Sequence, residues 1–125
     1  MSQSQHSGSK GYKATAALGA GILVKISSGE VVVATAATDK IIGVTENSCE
    51  AGEVVSVRLR NAQGTAKVKA GGNVSVGDYL TSDADGEVVA TTTVGEEVVG
   101  LALEAGADND LIEVMLMATR LAVTA

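Results

Sequence analysis

The sequence predicts an all-β fold, a compact sandwich or barrel built on an internal duplication. Three observations carry this. Short runs of Val, Ile, Leu and Ala alternate with Gly, Asn, Asp and Ser turns at spacings of about 8–12 residues. No stretch shows the period of a convincing amphipathic helix. Most tellingly, Gly29–Leu59 recurs without a gap as Gly86–Leu116, and eight of the 31 aligned positions are identical: Gly29, Glu30, Val31, Val32, Thr35, Gly43, Val57 and Leu59. These identities fall together on turns and strand centres.

Taken in order, residues 1–13 are a Ser/Gln/Gly/Lys segment with two lysines and no acid. Such a composition buries too little to fold alone and predicts a flexible N-terminal arm. Residues 14–125 form a single β domain whose repeat units run over about 21–60 and 78–117. Gly21–Ile26 reads as a strand, and Ser27-Ser28-Gly29 turns it into Glu30–Ala34. Thr35–Lys40 is a loop, and Ile41–Thr45 is a strand whose Gly43 marks a bulge or a close backbone approach. A polar connection holding Cys49 leads to Val54–Arg60, where apolar and polar residues alternate. Asn61–Gly64 then turns the chain into Thr65–Ala70, predicting a hairpin. Val74–Leu80 is a further run, and Asp83-Ala84-Asp85-Gly86 is a strong turn signal. Strands at Glu87–Thr91, Glu97–Leu103 and Leu111–Met117 follow, with room for one helical turn at Glu104–Asp108. Thr119–Ala125 is a mildly apolar tail.

The composition narrows the function. The chain has no Phe, Trp or Pro, and only two Tyr. A core of small aliphatics gains roughly 1.5–3 kcal/mol for each fully buried side chain, so such a subunit is expected to lean on self-association. The net charge is −6 with a pI near 4.6, and stacking aromatics are absent, which argues against nucleic acid as a partner. A single cysteine excludes an internal disulfide. No apolar run approaches the length that spans a membrane.

Each chemistry-bearing residue meets a simpler reading. His6, the only histidine, lies in the arm, so Cys49 has no buried base to activate it. Asp83, Asp85 and Glu87 resemble the start of a calcium loop. The twelfth position, however, is Val94 where a Glu is required, so an ordinary Asp-Gly turn is favoured. Catalytic, cofactor and metal sites are therefore expected to be absent. The one electrostatic feature is Arg58, Arg60, Lys67 and Lys69, in a stretch without acids from Glu53 to Asp78. On a hairpin, all four project from one face. That face is either a solvated surface or a dock for an acidic partner.

At Val31–Glu46 (VVVATAATDKIIGVTE), Ala70–Val89 (AGGNVSVGDYLTSDADGEVV) and Val98–Leu116 (VVGLALEAGADNDLIEVML) the chain resembles the small capsid decoration, or cement, proteins of tailed bacteriophages. The likeness spans roughly residues 14–117. It implies a β-barrel or β-tulip-like domain on the outer surface of the head, made in the bacterial cytoplasm. Such proteins often form homotrimers, with dimers and monomers also known, and they clamp neighbouring subunits of the major capsid protein against internal DNA pressure. An arm that orders on the shell is this family's usual device. On that basis His6, Lys10, Tyr12 and Lys13, with Arg58, Arg60, Lys67 and Lys69, are the expected capsid-contacting residues. The rival expectation is a β-rich or tail-associated module that recognises a host surface or glycan.

Overall fold

The computed structural model describes residues 8–60 and 64–120. Ten strands make up the fold: β1 (Ser9–Lys13), β2 (Leu23–Ser27), β3 (Glu30–Val33), β4 (Ile41–Thr45), β5 (Val54–Leu59), β6 (Thr65–Lys69), β7 (Tyr79–Ser82), β8 (Val88–Ala90), β9 (Glu97–Ala102) and β10 (Leu111–Arg120). They form two five-stranded antiparallel sheets, ordered β1-β5-β4-β2-β3 and β6-β10-β9-β7-β8. Replacing each strand of the first order by the one five later gives the second. The duplicated object is thus a whole five-stranded unit, and the fold is a compact all-β domain made of two such units.

The duplication extends beyond the part that aligns without a gap. A parallel bridge joins Ala14 to Val31 and another joins Ala70 to Val88, while Leu18 bridges Cys49 as Val74 bridges Gly106. Residues before the β2–β3 turn therefore recur 56 positions on, and residues after it 57 positions on. The extra residue sits in the hairpin turn. In the first unit Ser27 pairs with Glu30 across two residues, Ser28 and Gly29, both at positive φ, the arrangement of a type I′ turn. In the second, the Asp83 N–H donates to the Glu87 carbonyl across three residues. Asp83 Oδ1 accepts the N–H groups of Asp85 and Glu87 at 2.8 and 3.0 Å. The Asp-x-Asp-Gly run is a turn that caps itself.

Four expectations change. Ser9–Lys13, placed in the arm, is a strand of the first sheet, with Ser9 opposite Arg58 and Lys13 opposite Val54. The segment cannot fold alone, but β5 supplies its hydrogen-bond partners; residues 1–7 lie outside the described residues. The hairpin of β5 with β6 does not form, because β5 pairs with β1 and β4 while β6 pairs with β10. Within Val74–Leu80 the strand begins only at Tyr79. No helix lies over Glu104–Asp108, where Gly106 instead bridges Val74.

Two aliphatic clusters form the core. One lies within the first unit and holds Ala14, Leu18, Val24, Val31, Cys49, Val55 and Val57. The other joins the second unit's Val68, Ala70, Val88, Ile112 and Val114 to Leu23, Ala34, Ile41 and Val44 of the first. Each unit keeps a glycine where its strands cross closely. A Cβ on Gly43 would stand 2.1 Å from the Arg58 carbonyl oxygen, and one on Gly100 would stand 2.3 Å from Val114 Cγ1. Their cross-strand partners, Leu59 and Leu116, are the same residue in both units.

Candidate docking surface

The basic set splits into three environments. Arg60 leaves the surface altogether, with 7% of its area exposed. It follows β5, and its N–H bonds the Ile42 carbonyl, which turns the side chain inward between the sheets. Nε donates to the Met117 carbonyl at 2.9 Å. Nη1 donates to Ile41 O at 3.0 Å and Glu97 Oε1 at 2.8 Å. Nη2 donates to Val98 O at 2.8 Å and Thr119 O at 3.0 Å. All five donors of the guanidinium fork are used. Two of the acceptors flank the register shift of β10 between Leu116 and Thr119, where a bulge frees carbonyls from the ladder. Arg60 is a bolt between units, and the expectation that it docks a partner is corrected: a buried, fully bonded cation has nothing to offer outside.

Arg58 and Lys67 do come together, though from different sheets. They line one cleft of about 330 Å³ with Ala20, Thr45, Glu46 and Thr65, at the seam between the units. Lys67 Nζ meets Glu104 Oε1 at 2.7 Å. Donating that hydrogen bond to Glu104 holds the lysine above its ordinary pKa, and accepting it holds Glu104 below the usual carboxylate value. Lys69, on the same side of β6 as Lys67, pairs with Glu87 at 3.5 Å. Arg58 and Lys67 thus line one cleft, while Lys69, engaged with Glu87, is not among its lining residues.

On β1, Lys10 and Lys13 are exposed and Tyr12 is half-buried against the first core. Lys10 Nζ lies 5.3 Å from the Tyr12 ring centre, within reach of a cation–π contact. His6 lies outside the described residues. Cys49 is buried in the first unit's core, its backbone bonded in both directions to Leu18. In the loop before β4, Asp39 Oδ2 accepts from Thr35 N, Ala36 N and Lys25 Nζ at 2.9, 3.1 and 2.9 Å. The Thr35 backbone bond, chiefly, lowers the Asp39 pKa, with Lys25 and Ala36 adding to it against desolvation.

One surface went unremarked in the sequence. Tyr79, Leu101 and Met115 are cross-strand neighbours on the outer side of the second sheet, with Leu103 beside them; Tyr79, Leu103 and Met115 are exposed. Its signal was the alternation of β10. Val114 and Leu116 point inward, so Met115 occupies an outward position that Arg58 fills in the first unit.

Comparison with known proteins bears on the whole assembly of features. Residues 7–117 match the family model described as phage cement protein. Among solved structures, the chain is similar to the crystal structure of the head fiber gp8.5 N base of bacteriophage phi29, with a TM-score of 0.73 at 24% identity, covering 92% of this chain and 98% of that one. At that identity the likeness speaks to the fold. Among curated proteins no sequence matches.

Proposed function

The chain belongs to the phage cement protein family and is a structural, capsid-decorating component of the virion surface; from that premise we propose that it binds the major capsid protein lattice and self-associates, as a trimer, without catalysis. The observation that carries the reading is the family match across almost the whole chain. The geometry supports it in two respects. β1 stands at an edge of the first sheet, which leaves one of its sides unpaired within that sheet, and Lys10 and Lys13 are exposed on it with Tyr12 half-buried. Arg58 and Lys67 face the seam cleft beside Glu46, a recess suited to a projecting acidic loop. In a protein that reinforces a shell, many modest contacts repeated over a lattice reach high avidity without any strong single site. Burial of Cys49 in the core suits a protein that performs no nucleophilic chemistry.

The test is occupancy on assembled heads that lack this protein. Deleting residues 1–7 leaves β1 intact, and Arg58→Glu with Lys67→Glu reverses the cleft's charge. Each change is expected to reduce the copies bound, and the charge reversal should also remove the weakening of binding with rising salt that the wild-type cleft shows. Undiminished occupancy in the combined variant would overturn the proposed contact.

A further inference from the structure

We propose that the outer face of the second sheet, around Tyr79, Leu101 and Met115, receives the first unit of a second copy of this chain, repeating between molecules the junction that joins the two units within one. This deepens the self-association part of the reading above and names the surfaces that meet.

The argument begins with the junction inside the chain. Leu23 and Val44 are cross-strand partners on the outer side of the first sheet, and they are 0% and 1% exposed. The second unit covers them. The Lys69 N–H donates to the Gly21 carbonyl at 2.8 Å, the Leu23 N–H donates to the Gly86 carbonyl at 2.8 Å, and both side chains join the second unit's core cluster. The equivalent pair in the second sheet is Tyr79 and Leu101, and there Tyr79 is 46% exposed, with Met115 beyond it at 39%. A twofold junction would bury both pairs alike. The units are instead joined head to tail, which leaves one surface of each kind unused.

The four glycines at the junction make the same point. A Cβ on Gly21 would lie 2.8 Å from Leu111 Cδ2, and one on Gly86 would lie 2.6 Å from Val33 Cγ2 and 2.9 Å from Ile22 Cγ2. Their counterparts, Gly77 and Gly29, have nothing within 4 Å of that position. The used socket and plug are packed, and the spare socket and plug are open. In the repeated junction the Gly77 carbonyl accepts the neighbour's Lys13 N–H, and the Tyr79 N–H donates to the neighbour's Gly29 carbonyl. Charge favours the same pairing. Residues 1–60 carry six basic and five acidic side chains, whereas residues 61–125 carry three and ten. Head-to-tail contact thus sets a nearly neutral unit against a strongly acidic one and spares acidic units from meeting each other.

The experiment reads mass and orientation separately. Sedimentation of the full chain is expected to give a discrete species above the 12.5 kDa monomer. Tyr79→Glu with Met115→Glu should weaken that association roughly tenfold or more, as loss of a central anchor does, while the thermal melt of the dissociated chain shows that it stays folded. For orientation, Ser28→Cys and Asp78→Cys are made separately in a Cys49→Ala background and treated with a short bismaleimide. The head-to-tail contact predicts cross-linking in the mixture and none in either variant alone. A monomer at every concentration overturns self-association and this interface together. An oligomer that survives the Tyr79 and Met115 changes without a Ser28–Asp78 link overturns this interface alone. If those changes spare the oligomer but abolish binding to heads, the face belongs to the capsid protein and the second copy is excluded as its occupant.

Discussion

Arg60 and Met117 stand at the same point of the two units, one residue beyond the leucine that ends each repeat, and they play opposite parts. Arg60 reaches out of its own unit and gathers carbonyls from the other. Met117 stays in its sheet and offers its carbonyl to that arginine. Around them the units agree closely. Gly43 and Gly100, Leu59 and Leu116, and Val57 and Val114 are retained because backbone crossings and inward packing are set by the fold of a single unit. The units diverge where one meets the other. What this teaches is that a duplicated sheet keeps what its backbone geometry demands and is free to change at its outer surface, where its two neighbours differ.

Changes at equivalent positions can break that contrast. The largest effect is expected for Arg60→Met, which places the second unit's residue in the first. It removes the Arg60 donors from four carbonyls and from the buried Glu97 carboxylate, a loss of about 3–5 kcal/mol in urea denaturation. Adding Glu97→Leu should recover part of it, since apolar replacement of both partners is better tolerated than removal of one. Next comes Gly43→Ala, expected at about 3 kcal/mol, the upper end for overpacking, because the obstacle is a backbone carbonyl that cannot yield. The paired change Gly100→Ala should cost somewhat less, because the backbone oxygen it meets, on Met115, stands at 2.7 Å against 2.1 Å at Gly43, although the Val114 methyl at 2.3 Å must also shift.

The turns sharpen the comparison further. Gly29 and Gly86 both have positive φ, at 81° and 75°, and alanine in that region costs about 1–2 kcal/mol. Gly29→Ala should lose only this. Gly86→Ala should lose about a further 1 kcal/mol through its contacts with Val33 and Ile22. The smallest effect, about 1 kcal/mol, is expected for Asp39→Asn. Its sign with pH follows from the lowered pKa of Asp39 in the folded protein. The carboxylate's contribution is full above the ordinary aspartate value near 3.8 and is lost as pH falls through the lower folded value. Wild type and variant should therefore melt apart at neutral pH and converge in acid.

How much of this was legible beforehand depends on range. The strand positions and the duplication could be read from local alternation and turn residues, since both are properties of neighbouring residues. β1 was hidden because the one-residue difference in the hairpin turn shifts everything before it out of the ungapped frame. Lys13 matches Lys69 only once that shift is allowed. The β5–β6 hairpin was a reasonable inference from Asn61–Gly64, but it failed because the chain at that point passes from one sheet to the next. That failure decided the fate of the basic set. Without the hairpin, Arg60 became a bolt, and Arg58 met Lys67 across a seam. Tyr79 and Met115 were visible as residues, yet their exposure follows from which unit covers which, and nothing local encodes that.

The Arg60 bolt also bears on the order in which the chain is made. Every ladder of the first sheet closes within the first 59 residues, so this sheet can pair while the rest is still being synthesised. The acceptors of Arg60 on Met117 and Thr119 are made only after the other strands of the second sheet. Until they emerge, the nascent domain has its sheet but holds Leu23, Val44 and a cation open to the cell. The interval between residue 60 and residue 119 is thus the period of greatest exposure to misassembly, and fusion of the ribosome-proximal end to a stalling sequence at different lengths would time its close.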